Sequence, residues 1–432
     1  MRRALALLVV AGCRTIAGIP EAELSPADGA TPDARRPIDG AADAPADAPL
    51  PDAPDVEARC DGVDDDLDGV VDEGIPWIEL PGTRRVLDRG EYAGIWWSAR
   101  GPDRVALAWT TGPGTAADVT KVQVFDLAGA PVAPAVALDT FQPWTVHQLV
   151  WRGDRVLLSA TQRSYACGGD LSTACETYVV AVQDDGALVV PPTSIGASAP
   201  TVVAAPGGGD AYDVVRLAPS GAGDVRARAY DRDGAVLGLE RTIYTTSPGE
   251  RTNLPRISAL DGANAWIYSS TTTGLSLRLV DPTDAITLGP VTIDDTPGAS
   301  VIDRSGAAIA LVPEGYAIAV NRAGAPAIVF VSPAGGRLRE VPIPGADVLS
   351  GLVRVGDELV VLATTNLETG PQGTIWRLAL DGRIAAAPTP LGFEGAHRYG
   401  TLAPVPGGVL IAAADYGEGI THPISLARFA CP

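Results

Sequence analysis

One turn recurs along this chain, and its spacing restricts the fold more than any other feature. Five alternating apolar segments end in a tight glycine-bearing turn: "KVQVFDLAG" (121–129), "TYVVAVQDDG" (177–186), "VRARAYDRDG" (225–234), "IVFVSPAGG" (328–336) and "TIWRLALDG" (374–382). A sixth, "LSLRLVDPTDA" (275–285), occupies the same place with Asp284 at the turn. The turn positions Gly129, Gly186, Gly234, Asp284, Gly335 and Gly382 are 57, 48, 50, 51 and 47 residues apart. Strict alternation marks a half-buried strand, and Asp-Gly supplies the positive φ of a tight hairpin. A period near 50 residues is too long for one hairpin and right for a four-strand unit.

The rest of each unit fits. Denser apolar runs such as "RVALAWTT" (104–111), "RVLLSATQ" (155–162), "ELVVLATT" (358–365) and "GVLIAAAD" (408–415) come first, followed by a variable polar loop. After the turn comes a Pro- or Thr-rich apolar strand, as in "APVAPAVALD" or "LGPVTIDD". No segment shows a helical period. Six complete units begin near Tyr92, and a seventh, from about His397, stops after its third strand, "HPISLARFACP". The segment "PWIELPGTRRVLD" (76–88) has no unit of its own and is shaped like the missing fourth strand. The expected fold is therefore all-β: a seven-bladed β-propeller over 76–432, its N-terminal strand completing the last blade. That closure removes an open edge.

Five cysteines accompany this plan: Cys13, Cys60, Cys167, Cys175 and Cys431. Cys167 and Cys175 flank a short loop and make an easy local pair. Cys60 and Cys431 then remain at the two ends of the folded part, where a bond would staple the closure; two free or intermolecular thiols are the alternative. In the loop-entropy picture such a bond contributes about 4–5 kcal/mol. Arg2 and Arg3, the run "ALALLVVAG" and Cys13 have the order of an export signal. "VAGC" resembles the lipobox of bacterial lipoproteins, which implies lipidation of Cys13 and attachment at the outer membrane or cell surface. The other reading is an ordinary secretory signal with an incidental cysteine. Residues 14–59, rich in Ala, Pro and Asp, lack the apolar side chains that could offset ordering entropy, so a disordered linker is expected. Residues 14–75 hold 17 acids against four arginines, leaving the part from 76 onward at −9 within a total of −20. So acidic a body repels phosphate backbones and argues against nucleic-acid binding.

The densest acid lies in "CDGVDDDLDGVVDEG" (60–74). Alternating carboxylates followed by glycine can wrap a hard cation, and the next carbonyl adds a ligand. The stretch resembles the MopE-type metal-binding motif of secreted bacterial proteins, C-D-G-x-D-N-D-C-D-G-x-x-D-E-G, with Asp65 in place of Asn and Leu67 in place of the second Cys. The resemblance implies a metal loop over 60–75 without the family's local disulfide, which leaves Cys60 available. The expected ligands are Asp64, Asp66, Asp68 and the Val70 carbonyl, with Asp72 or Glu73 completing the set. Oxygen donors favour structural Ca²⁺ over copper.

Elsewhere catalytic signals are sparse. The three histidines, His147, His397 and His422, are isolated in sequence. Trp96, Trp97, Trp109, Trp144 and Trp266 fall in strands and are expected to fill the space between blades. Nucleophile-elbow, zinc-helix, P-loop and dinucleotide motifs are all missing. The long loops between second and third strands share one face with the connections between units, and loops on a rigid scaffold are where function concentrates. The expectation is a binding face there, with His147, His397, Arg251 and Arg398 as contributors. Together these features predict an exported, monomeric surface lipoprotein whose propeller binds a carbohydrate, a protein or another cell-surface component. It meets the membrane only through its lipid. The runner-up is a propeller hydrolase or lyase with carboxylates in the central channel.

Overall fold

The computed structural model describes residues 74–431 apart from 114–117, 139–143, 163–174, 199–200, 205–211, 218–223, 232, 234, 246–255, 260–264, 272–273, 281–285, 302–308, 323–324, 366–371, 394–399 and 415–420. The described residues contain strands, turns and bends but no helix, and they form seven antiparallel sheets. Sheet 1 is Tyr92–Arg100, Arg104–Gly112, Val119–Asp126 and Val136–Ala137, paired in that order. Sheet 2 is Trp144–Arg152, Arg155–Gln162, Cys175–Gln183 and Leu188–Ser198. Sheet 3 is Thr201–Ala204, Tyr212–Leu217, Asp224–Tyr230 and Arg241–Thr245, and sheet 4 is Arg256–Ala259, Ala265–Thr271, Gly274–Val280 and Ile286–Asp294. In sheet 5 the first strand is in two pieces, Ser300–Val301 and Ile309–Val312, both paired with Gly315–Asn321; Ala327–Val331 and Arg337–Pro342 follow. Sheet 6 is Val348–Val355, Glu358–Thr365, Gln372–Ala379 and Thr389–Pro390.

Sheet 7 draws on both ends of the chain. Gly400–Val405, Gly408–Ala414 and His422–Ala430 are followed in space by Ile78–Glu79 and Arg85–Gly90, which both pair antiparallel with His422–Ala430. The strand expected over 76–88 is therefore interrupted at Leu80–Arg84 and extends to Gly90. Pro81 and Gly82 break the ladder, and Arg84 turns outward to grip Glu79.

Each sheet lies against the next in the chain, and Gly400–Val405 of sheet 7 lies against Tyr92–Arg100 of sheet 1. The apolar core is accordingly distributed between sheets. Leu149, Val156 and Val180 of sheet 2 meet Ala106 and Val122 of sheet 1. Ile95, Trp109 and Phe125 of sheet 1 meet Leu410, Ile424 and Leu426 of sheet 7. Full burial of one such side chain is worth about 1.5–3 kcal/mol, so every seam is a substantial contact. Trp97 and Trp109 are buried as expected, and Trp77 joins them between sheets 6 and 7.

The recurring turn is visible in atomic detail at 379–383. The Ala379 amide donates to the Arg383 carbonyl at 2.9 Å, and the Gly382 amide donates to the Ala379 carbonyl at 2.8 Å. Gly382 has a φ of 91°, a conformation that a Cβ would strain. The chain alternates direction through each sheet. One end of the sheets therefore carries all the tight turns, and the other carries the second-to-third loops and the handovers between sheets.

Candidate functional site

The loop-bearing end is built around carboxylates that cross seams. Asp88, near the end of the fourth-position strand of sheet 7, accepts from three side chains of sheet 1: Lys121 Nζ at 2.6 Å, Thr111 Oγ1 at 2.7 Å and Trp109 Nε1 at 3.1 Å. The Arg89 amide adds a fourth donor at 2.9 Å. Burial pushes the Asp88 carboxyl up, but these donors together outweigh it and hold the group below the usual carboxylate range. Asp294 stands at the corresponding place in sheet 4. It is buried, accepts from the Thr296 amide at 2.8 Å, and is ion-paired with Arg322 of sheet 5. Burial raises its carboxyl, and the Thr296 and Arg322 bonds more than reverse that. Arg322 also grips Glu340 through two bonds of 2.6 and 2.8 Å, which depress Glu340 and raise Arg322 itself. Bidentate guanidinium–carboxylate pairs of this kind combine energy with a fixed geometry.

Three first strands carry a bulge at the same place. Pairing slips between Ile95 and Trp97, between Val146 and Gln148, and between Leu349 and Gly351, so Trp96, His147 and Ser350 are the extra residues. A bulge frees ladder groups, and neighbouring sheets take them up. Trp97 Nε1 donates to the Val146 carbonyl at 3.0 Å, while Asn321 donates to the Leu349 carbonyl at 3.0 Å and accepts from its amide at 2.7 Å. Between sheets 7 and 1, Ser98 Oγ meets Thr401 Oγ1 at 2.7 Å and donates to the Leu402 carbonyl at 2.8 Å.

The turn-bearing end receives the incoming chain. The Gly74 amide donates to the Ala385 carbonyl at 2.6 Å, and Arg377 bonds the Ile75 carbonyl. Arg377 is buried, pairs with Glu358 at 2.6 and 2.8 Å, and lies over the Trp77 ring at 5.1 Å. Cys431 follows the last strand at this same end, directly after Ala430, which pairs with both Ile78 and Gly408.

Of the residues singled out by sequence, His147 sits at the bulge of sheet 2. His422 opens the last strand and is half-buried, and Cys175 opens a strand opposite Ser198. Cys13, Cys60, Cys167, Arg251, His397, Arg398 and the metal set Asp64, Asp66, Asp68, Val70, Asp72 and Glu73 lie outside the described residues. So do most of the loops expected to form the binding face. Among the described residues no three His, Cys, Asp or Glu side chains are grouped to hold a metal, and no helix is long and apolar enough to cross a membrane. Sequence reading missed Asp88, Asp294, Arg322 and the Arg377–Glu358 pair. A signal existed for the first two: the apolar fourth-strand segments "RRVLD", "VALD" and "VTID" each close on Asp in the sequence, with Asp139 of the second falling outside the described residues.

No known family model matches the sequence, and no curated protein matches it. Solved structures do resemble the fold. The Dos1 propeller is 10% identical, with a TM-score of 0.45, over 80% of this chain and 95% of that one. A protein of unknown function from Dyadobacter fermentans is 11% identical, with a TM-score of 0.47, over 83% of this chain and 100% of that one. A prolyl endopeptidase is 16% identical, with a TM-score of 0.46, over 76% of this chain but only 46% of that one.

Proposed function

We propose that the chain is an exported, surface-attached binding protein: a closed seven-bladed propeller presenting its loop-bearing face to a glycan or protein of the cell surface. The cyclic order of the seven sheets supports closure, as does the pairing of Arg85–Gly90 with His422–Ala430. Lipidation of Cys13 would supply the attachment. The acidic stretch 60–75 would hold Ca²⁺ through Asp64, Asp66, Asp68, the Val70 carbonyl and Asp72 or Glu73, an all-oxygen donor set suited to a hard cation. Cys60–Cys431 would fasten the ends and Cys167–Cys175 would stiffen one loop. Cys431 directly follows Ala430 at the turn-bearing end, where Gly74 also enters, and that proximity supports the staple.

The observation that carries the reading is where the chain enters. Gly74 and Ile75 are bound at the turn-bearing end. The chain therefore enters the described body at the end opposite the long loops, so the entering segment leaves that face uncovered. Asp88, Asp294 and Glu340, all on fourth strands, are held as anions by structural cations and serve the fold. The alternative reading, a hydrolase or lyase, would place its carboxylates in the central channel instead.

The test is binding of the full chain to glycan and surface-protein arrays, with titration calorimetry for Ca²⁺. Loop-face changes (His147→Ala, Arg251→Ala, Arg398→Ala) should abolish capture, and a turn-face change (Asp381→Ala) should not. Asp66→Asn should abolish the Ca²⁺ heat. Capture that survives every loop-face change and is lost with Asp381→Ala would overturn the proposal.

A further inference from the structure

Residues 74–90 hold more than the sheet they complete. They run the full length of His422–Ala430, from Ile78 opposite Ala430 at the turn-bearing end to Gly90 opposite His422 at the loop-bearing end. The interruption at Leu80–Arg84 does not release the two strands from each other. The Leu80 amide donates to the Arg428 carbonyl at 2.9 Å, and the Arg428 amide donates to Thr83 Oγ1 at 3.2 Å. Thr83 Oγ1 in turn donates to the Leu80 carbonyl at 2.7 Å, so one side chain spans the gap.

The same segment is fastened to both neighbouring sheets. Toward sheet 6, Gly74 and Ile75 are bonded by Ala385 and Arg377, and Trp77 is buried in the seam under the Arg377 guanidinium. Farther along, Arg84 donates to the Gly392 carbonyl at 3.0 Å and lies over the Phe393 ring at 4.7 Å. Its Nε donates to Glu79 at 2.9 Å, which ties the two halves of the segment together. Phe393 meets Phe429 of the last strand edge-on, with ring centroids 6.3 Å apart. Toward sheet 1, Asp88 takes Lys121, Thr111 and Trp109. The fastenings are thus spread over the start, middle and end of the segment.

We propose that residues 74–90 form a load-bearing clasp, which meets tension arriving from the chain ahead of Gly74 lengthwise and spreads it over sheets 6, 7 and 1. The direction follows from the topology. Ladder hydrogen bonds in an antiparallel pair lie perpendicular to the strands. A pull along the strand must shear them together with every side-chain fastening, whereas a pull across the strand opens them one after another. The segment enters at the turn-bearing end and runs toward the loop-bearing end. Tension between its entry and a ligand on the loop-bearing face therefore acts along the strand. Tension between its entry and Ala430, at the same end, acts across the strand and peels it. The use of such a clasp rests on the surface-attached reading above; its mechanics does not.

Single-molecule pulling on the full chain tests this, in a Cys431→Ser background so that no sulfur bond joins the two ends. One handle is placed immediately ahead of Gly74. The other sits either between Thr365 and Gln372, at the loop-bearing end, or after Pro432. Forced opening follows the barrier to unfolding, so the first rupture should shift to higher force with the loop handle. Asp88→Asn and Arg84→Ala should each lower that force. Asp88→Asn should leave the force with the terminal handle unchanged, because peeling starts at the other end of the segment. Equal forces in the two geometries overturn the proposal, and so does a lengthwise force indifferent to both substitutions. No ligand is present in these measurements, so capture on arrays can fail while the clasp holds, and the clasp can fail while capture survives.

Discussion

Asp88 gathers the chain's only lysine, a threonine hydroxyl and an indole N–H on one carboxylate oxygen. Its environment makes it a fastener. It sits on a strand contributed by the N-terminal part of the folded body, yet all its side-chain donors belong to sheet 1. Truncation to alanine leaves those donors without their acceptor, and such losses cost about 1–3 kcal/mol. Asp88→Ala should therefore lower the thermal midpoint at neutral pH. The pH dependence has a definite sign. The folded carboxyl is depressed, so its contribution is present above the unfolded value of about 3.9 and is lost as pH falls through the lower folded value. The gap between wild type and Asp88→Ala should close in acid. Melts followed by circular dichroism between neutral pH and strong acid would show it; a gap that stays constant across that range would rule out the carboxylate as the cause.

At the scale of the element, the tight turns do two jobs at once, and only one could be read from sequence. Spacing and the Asp-Gly signal located the turns and, from them, the four-strand units. The second job is seating. Gly382 lies against Val341 and Phe330 of the preceding sheet, where a Cβ would approach to 2.7 and 3.2 Å. Gly382→Val should therefore cost more than the roughly 1 kcal/mol expected from a positive φ alone. Gly345→Val, with a φ of 72° and open space around it, isolates the conformational part. Chemical denaturation of the two variants gives the difference directly, and equal losses would refute the seating role. The same limit explains the missed ion pairs. Arg322 and Asp294 are 28 positions apart, and Arg377 reaches Ile75 across 302. Nothing in a linear pattern says which ends of which sheets will touch. The interruption at Leu80–Arg84 was equally hidden, because Arg84 is drawn out to Glu79 and the Gly392 carbonyl of a neighbouring sheet.

For the molecule as a whole, the seam between sheets 7 and 1 decides whether the sheets act as one body. It is held by the pairing of Ile78–Glu79 and Arg85–Gly90 with His422–Ala430, by the apolar contact around Trp109 and Leu426, and by Asp88. Two truncations separate these contributions from whatever precedes them. A chain beginning at Gly74 keeps every contact just named and loses only what residues 1–73 supply, including any bond to Cys431. A chain beginning at Glu91 strips the outer edge of His422–Ala430, removes Trp77 from its place between sheets 6 and 7, and leaves Lys121 without Asp88. An apolar edge so exposed recruits other chains. The first truncation should unfold in a single cooperative transition, with a midpoint lowered by no more than a lost cross-link explains, about 4–5 kcal/mol in the loop-entropy picture. The second should aggregate or melt broadly, with sheets 1 and 7 losing amide protection before sheets 3 to 5. Hydrogen exchange read sheet by sheet distinguishes the two, and uniform protection in the chain beginning at Glu91 would show that the N-terminal strands decorate the fold without closing it.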